Sequence, residues 1–123
     1  LDQTIHWLQA QALSGHYDTG LLYVSDHGES LGENNLYLHG VPYALAPEQQ
    51  TRVPMVSWMS PGLQLRAGVK TDCLRSRAAM PLSHDHLFHS VLGLMDVNTG
   101  VRQSSHNLFA PCGADALSGL QAG

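Results

Sequence analysis

Gly20-Leu21-Leu22-Tyr23-Val24-Ser25 is the stretch that decides the fold class. A short, nearly continuous apolar run of this kind predicts a strand buried on both faces, as in a sheet sandwiched by helices. Just before it, Ile5, Leu8, Ala12 and Leu13 recur at i, i+3, i+7 and i+8, with Trp7 flanking, and predict an amphipathic helix over residues 2–13. Ser14-Gly15 stops that helix, because glycine takes the left-handed cap conformation without a Cβ clash. A helix feeding a buried strand is half of a βαβ unit, so the class is α/β.

Downstream, residues 26–51 lapse into Gly, Asn, Pro and polar residues with little periodicity. An irregular stretch of that length inside a compact domain is usually functional or disordered. Residues 53–59 predict a second strand, with Pro54 tolerated near its start. Ser60-Pro61-Gly62 reads as a turn, and residues 71–80 as a helix. Ser83 is expected to cap a further helix through Met95, its hydroxyl accepting free N–H groups of the first turn. Leu87, Val91, Leu94 and Met95 make the expected inner stripe of that helix, widened by Phe88 and Leu92. Asp96 to Gly100 ends it, and the tail from about residue 101 reads as irregular. No linker divides the chain.

Composition excludes several classes. The 123 residues are 43% hydrophobic and 13% charged, too apolar and too weakly charged for a disordered tail. The longest uncharged stretch near the middle, residues 53–65, holds two prolines and falls well short of a membrane-spanning helix. Six Lys/Arg are scattered from Arg52 to Arg102 without a cluster, so a nucleic-acid partner is not expected. Eight histidines are the informative excess, because imidazole serves both as a metal ligand and as a near-neutral acid or base. The chain opens on Leu1-Asp2-Gln3-Thr4, neither an initiator methionine nor a signal peptide, and reads as a fragment of a longer domain.

Candidate chemistry concentrates between Ser25 and Gly40. Asp26 and His27 follow the carboxyl end of the predicted strand, where open α/β sheets bind ligands. A carboxylate beside an imidazole offers two zinc ligands, and Gly28 supplies the break that lets adjacent side chains converge. A plain polar turn explains the same residues, and residue type alone leaves both readings open. Glu29 and Glu33 are candidates to support the ligands or are ordinary solvated loop acids, and residue type alone favours the solvated reading. His39 lies 12 residues beyond His27 in a glycine-flanked loop, and spacing places it equally well in the crevice or on the surface.

Residues 23–34, Tyr-Val-Ser-Asp-His-Gly-Glu-Ser-Leu-Gly-Glu-Asn, followed by Tyr37-Leu38-His39-Gly40, resemble the lipid A phosphoethanolamine transferases. These are sulfatase-like members of the alkaline phosphatase superfamily. Ala46-Pro47 with Gln50, Val53-Pro54, and Ser83-His84-Asp85 leading through Leu87-Phe88-His89 to Asp96-Val97 are similar to the same family. The resemblance implies a later, C-terminal portion of a sulfatase-like catalytic domain spanning residues 1–123, a partial sandwich with a mixed sheet flanked by helices. It implies a periplasmic domain borne by an N-terminal part in the inner membrane of a Gram-negative bacterium. That enzyme moves phosphoethanolamine from phosphatidylethanolamine to lipid A through a covalent phospho-threonine. By resemblance, Asp26 and His27 bind the catalytic zinc, and His39 holds the phosphoryl group or a second zinc. The family's nucleophilic threonine and a further acidic ligand lie upstream of the matching segment; Thr4, Thr19, Thr51, Thr71 and Thr99 have no matching context. The chain alone is therefore expected to be inactive, since a catalytic zinc site needs three protein ligands and a reacting group.

His84, His86 and His89 fall on one predicted helix, and two histidines three or four residues apart can share a metal. The preferred reading puts His84 and His86 on its exposed first turn and His89 near the sheet. His6, His16 and His106 read as surface residues, and Tyr37 and Trp58 as packing residues. Cys73 and Cys112 would be able to pair in a periplasmic setting, but sequence does not give their geometry. Two other functions compete: a phosphoglycerol transferase or other sulfatase-like hydrolase, and a non-catalytic metal-binding module. The Tyr37-Leu38-His39-Gly40 continuation argues against the former, and upstream membrane helices with a threonine nucleophile would argue against the latter.

Overall fold

The computed structural model describes residues 1–113; the expectation of an irregular tail beyond residue 113 lies outside the described residues. Two compact units share the chain, one built from Leu1–Thr19 with the described residues from Met59 to Gly113, the other from Gly20–Trp58.

In the first unit, helix α1 (Asp2–Leu13) forms where the periodicity placed it, with Ile5, Leu8 and Ala12 half-buried. Gly15, at φ +76°, turns the chain out of it. The Thr19 hydroxyl then donates back to the Leu8 carbonyl at 2.9 Å. Thr19 and the buried Ser60 exchange two hydrogen bonds, the Thr19 N–H donating to Ser60 Oγ at 3.0 Å and the Ser60 N–H to the Thr19 carbonyl at 2.8 Å.

Ser60-Pro61-Gly62 is not a simple turn. Ser60 Oγ also accepts from the Leu63 N–H and caps helix α3, Pro61–Ala67 (helix α2, Glu48–Thr51, belongs to the other unit). Pro61 occupies the first turn, where no N–H is missed, and Gly68 ends the helix in the left-handed conformation. Leu63 packs with Met59, Val69 and Phe109 into the core, and Ala67, Leu74, Leu94 and Leu108 surround it.

Helix α4 (Thr71–Ser76) stops short of the expected Met80. Cys73 on it forms a disulfide with Cys112, their Cα atoms 5.6 Å apart. Helix α5 (Asp85–Leu94) begins after His84, and Ser83 does not cap it. Instead the Ser83 hydroxyl lies 3.2 Å from Asp85 Oδ2, to which it donates.

The inner face of α5 also differs from the expected stripe, since Val91 and Met95 are exposed and the face centres on a completely buried Ser90. The segment packed on it brings backbone donors, which need acceptors rather than apolar contact. Ser90 Oγ accepts the Leu108 N–H at 2.9 Å, and His89 Nδ1 accepts the Gln103 N–H at 3.1 Å. Gly93 leaves room there for the Asn107 amide, which an added Cβ would strike. His89 thus packs on this segment. His106 is half-buried rather than on the surface, its ring centroid 5.4 Å from those of His86 and His89. The described part of the tail holds two 3-10 turns, Ser104–His106 and Ala110–Cys112.

In the second unit, β1 (Gly20–Val24) pairs with β4 (Met55–Met59) as a two-stranded sheet. The α/β class holds, but β1 is not buried on both faces. Leu21, Leu22 and Val24 are half-buried, whereas Tyr23 is 40% exposed. The stretch expected to be irregular contains a second, smaller sheet. There β2 (Ser30–Leu31) pairs antiparallel with β3 (Tyr37–Leu38), Ser30 opposite Leu38 and Leu31 opposite Tyr37. A 3-10 turn over Glu33–Asn35 joins them, with Asn34 and Asn35 at φ +55° and +59°. Asparagine tolerates this left-handed region better than most residues. Helix α2 (Glu48–Thr51) follows. Tyr37 is largely exposed rather than a packing residue, although its ring lies over Gly32.

Candidate functional site

The segment after β1 is tied by short local hydrogen bonds. The Ser25 hydroxyl donates to the His27 carbonyl at 2.7 Å, and the His27 N–H donates to Asp26 Oδ1 at 3.1 Å. These bonds fold Asp26 and His27 toward one another where a regular strand would send them to opposite faces. His27 Nδ1 stands 3.0 Å from the Gly28 carbonyl. A carbonyl only accepts, so Nδ1 carries the proton and a neutral ring offers its lone pair at Nε2. That nitrogen lies 3.8 Å from Asp26 Oδ2, and the aspartate side chain is 90% exposed.

Two donors on a tetrahedral zinc, each at ~2.0–2.1 Å, stand about 3.3 Å from each other. The Asp26–His27 pair is close to that spacing, and the Nδ1–H bond to a backbone carbonyl is the usual way a ligating histidine is oriented. By donor type the pair suits zinc, with the two atoms about half an ångström wider apart than a bound pair. Among the described residues no group of three or more His, Cys, Asp or Glu side chains is placed to hold a metal.

His39, which spacing left between crevice and surface, comes to the same place. Its ring centroid is 4.0 Å from that of His27, with the planes 31° apart. Leu38 at φ +64° and Gly40 at φ +103° bracket it, and a left-handed leucine is uncommon enough to mark a constrained turn. Glu29 is not merely solvated. Its carboxylate lies 3.3 Å from His39 Nδ1, so that nitrogen donates and Nε2 is left for another partner. Glu33 serves the fold, accepting the Leu31 N–H at 2.7 Å. Aspartate, two imidazoles and the orienting Glu29 thus gather within one unit.

The sequence profile of the sulfatase family matches residues 1–97. The chain belongs to the sulfatase family. Within this sulfatase-family chain, similarity extends to phosphoethanolamine transferases. It is 43% identical over 113 residues to phosphoethanolamine transferase EptA of Salmonella typhimurium, a match covering 91% of this chain and 20% of that protein. Among solved structures it resembles the integral membrane lipooligosaccharide phosphoethanolamine transferase A of Neisseria meningitidis. There the TM-score is 0.82 at 43% identity, over 90% of this chain and 20% of that one. It also resembles the C-terminal periplasmic domain of phosphoethanolamine transferase EptC from Campylobacter jejuni. That TM-score is 0.71 at 36% identity, over 86% of this chain and 33% of that domain. The chain spans about a fifth of the length of the full-length relatives it matches. Among the described residues no helix is long and apolar enough to cross a membrane.

Sequence reasoning missed what supports the site. Gly28 has no room for a side chain, because a Cβ there would meet the Gln49 carbonyl, and its N–H donates to the Gln50 carbonyl at 3.0 Å. Glycine directly after a candidate ligand signals both a bend and a close approach, and the backbone that approaches is that of α2.

Proposed function

We propose that the whole protein carrying this chain is a zinc-dependent phosphoethanolamine transferase. Its donor is phosphatidylethanolamine, its acceptor is lipid A, and it resides in the inner membrane with this domain in the periplasm. Asp26 and His27 are two zinc ligands, and His39 engages the phosphoryl group. The observation that carries this reading is the convergence of His27 and His39 beside Asp26, with ring centroids 4.0 Å apart. The similarity to named phosphoethanolamine transferases supplies the reaction class.

When bound, zinc supplies Lewis-acid charge for the phosphoryl oxygens and lowers the pKa of a coordinated hydroxyl. The chain's own residues do the rest. The Gly28 carbonyl fixes the His27 tautomer so that Nε2 presents a lone pair. Glu29 fixes the His39 ring through Nδ1; in the imidazolium form Nε2–H donates to a phosphoryl oxygen, and in the neutral form Nε2 accepts a proton. The phospho-threonine of the covalent step comes from outside these residues, because none of the five threonines here stands in a matching context.

The test is made in the full-length protein. Asp26→Ala and His27→Ala are expected to abolish transfer and to lower bound zinc, whereas His39→Ala loses transfer with zinc retained. Full zinc content and full activity in both Asp26→Ala and His27→Ala would overturn the assignment.

A further inference from the structure

Gln50 lies 23 residues beyond His27 and carries no chemistry of its own, yet it grips the segment that bears the candidate ligands from two sides. Its backbone carbonyl accepts the Gly28 N–H at 3.0 Å. Its side-chain Nε2 donates to Ser30 Oγ at 2.9 Å. Gln50 is only 7% exposed and Ser30 only 1%. A buried amide bonded to a buried hydroxyl is a specific contact, because either group left without its partner would bear the full cost of desolvation.

The two bonds bracket Glu29, the residue that holds His39 Nδ1. The first falls on the residue after His27. The second falls on Ser30, which stands opposite Leu38 in the small antiparallel sheet, one residue before His39. A single side chain and its own carbonyl thus connect the His27 turn to the β2–β3 pair that precedes His39. We propose that Gln50 is a positioning residue, locking residues 28–30 so that His27 and the Glu29–His39 pair keep the spacing the reaction needs. This inference rests on the reading of Asp26, His27 and His39 given above.

The experiment uses the full-length transferase and compares Gln50→Leu, Ser30→Ala, the double variant, Ser30→Thr and the control Asp26→Ala. Turnover is counted per folded molecule. Gln50→Leu and Ser30→Ala are each expected to lose roughly 10-fold in kcat, the scale of losing a group that orients a ligand, with KM for the donor lipid unchanged. The double variant should lose the same roughly 10-fold rather than the product, because the two residues form one tie. Ser30→Thr keeps the hydroxyl and should keep most of the activity. Should Gln50→Leu fail to fold, Ser30→Ala removes a single oxygen and carries the test. Unchanged kcat per folded molecule, a change in KM alone, or multiplicative losses in the double variant would each overturn the positioning role. Full turnover in Asp26→Ala would instead overturn the underlying site.

Discussion

Glu29 illustrates how much a single carboxylate does at this site. It is about half-exposed, and an exposed ion pair contributes little to stability, so its value lies in geometry. With Glu29 accepting at 3.3 Å, His39 Nδ1 is committed as a donor, and the ring is held against His27. The backbone cooperates, because Leu38 at φ +64° turns His39 back toward the first histidine. Strain of this sort persists where surrounding contacts over-determine it, and here the Ser30–Leu38 pairing does so. If orientation is the role, an uncharged acceptor should suffice. Glu29→Ala in the full-length protein is expected to lose roughly 10-fold in kcat, while Glu29→Gln, which keeps an amide oxygen in reach, should stay within about threefold of the parent on the same scale. Equal losses in the two variants would show that the charge matters and the orientation does not.

Among the elements, α3 depends on one hydroxyl. Ser60 Oγ caps the helix at Leu63 and also receives the Thr19 N–H, so its removal strands two backbone donors at a buried position. Losing a cap costs ~1 kcal/mol, and the unpartnered Thr19 N–H adds about another. Ser60→Ala should therefore destabilise the protein by about 2 kcal/mol, seen as a lower denaturant midpoint; an unchanged midpoint would exclude the double role. The signals for α3 stood in the sequence, with serine before proline and Gly68 just past the end, but Pro61-Gly62 reads first as a turn. Helix α1 was legible because apolar spacing and a terminal glycine agree there. The face of α5 was not, because its centre is a serine accepting a backbone N–H from a segment 18 residues on, and hydrophobic periodicity carries no record of such a bond. Strands β2 and β3, two residues each, are too short to show alternation.

At the scale of the whole molecule, local signals located half of the candidate site and chain reversal assembled the remainder. Asp26 and His27 follow a recognisable strand, whereas the arrival of His39 depends on left-handed turns at Asn34, Asn35 and Leu38, which spacing does not encode. Sequence offers Cys73 and Cys112 as a possible pair but not their geometry: they are 39 residues apart, and the docking of the tail brings them together. The loop it closes contains α5 and the segment packed upon it. The Lys70 N–H donates to the Cys112 carbonyl at 2.9 Å, so the bridge reinforces a contact that the backbone also makes. Cross-linking two points this far apart removes loop-closure entropy from the unfolded chain worth about 4 kcal/mol at room temperature. Reductant should therefore lower the denaturant midpoint of the full-length protein. Cys73→Ser combined with Cys112→Ser should lower the midpoint under oxidising conditions. Because the bridge acts mainly on the unfolded state, the loss should approach this figure even if the folded structure scarcely moves. Matching midpoints for parent and double variant under oxidising conditions would show that docking of the tail, rather than the covalent link, holds this unit together.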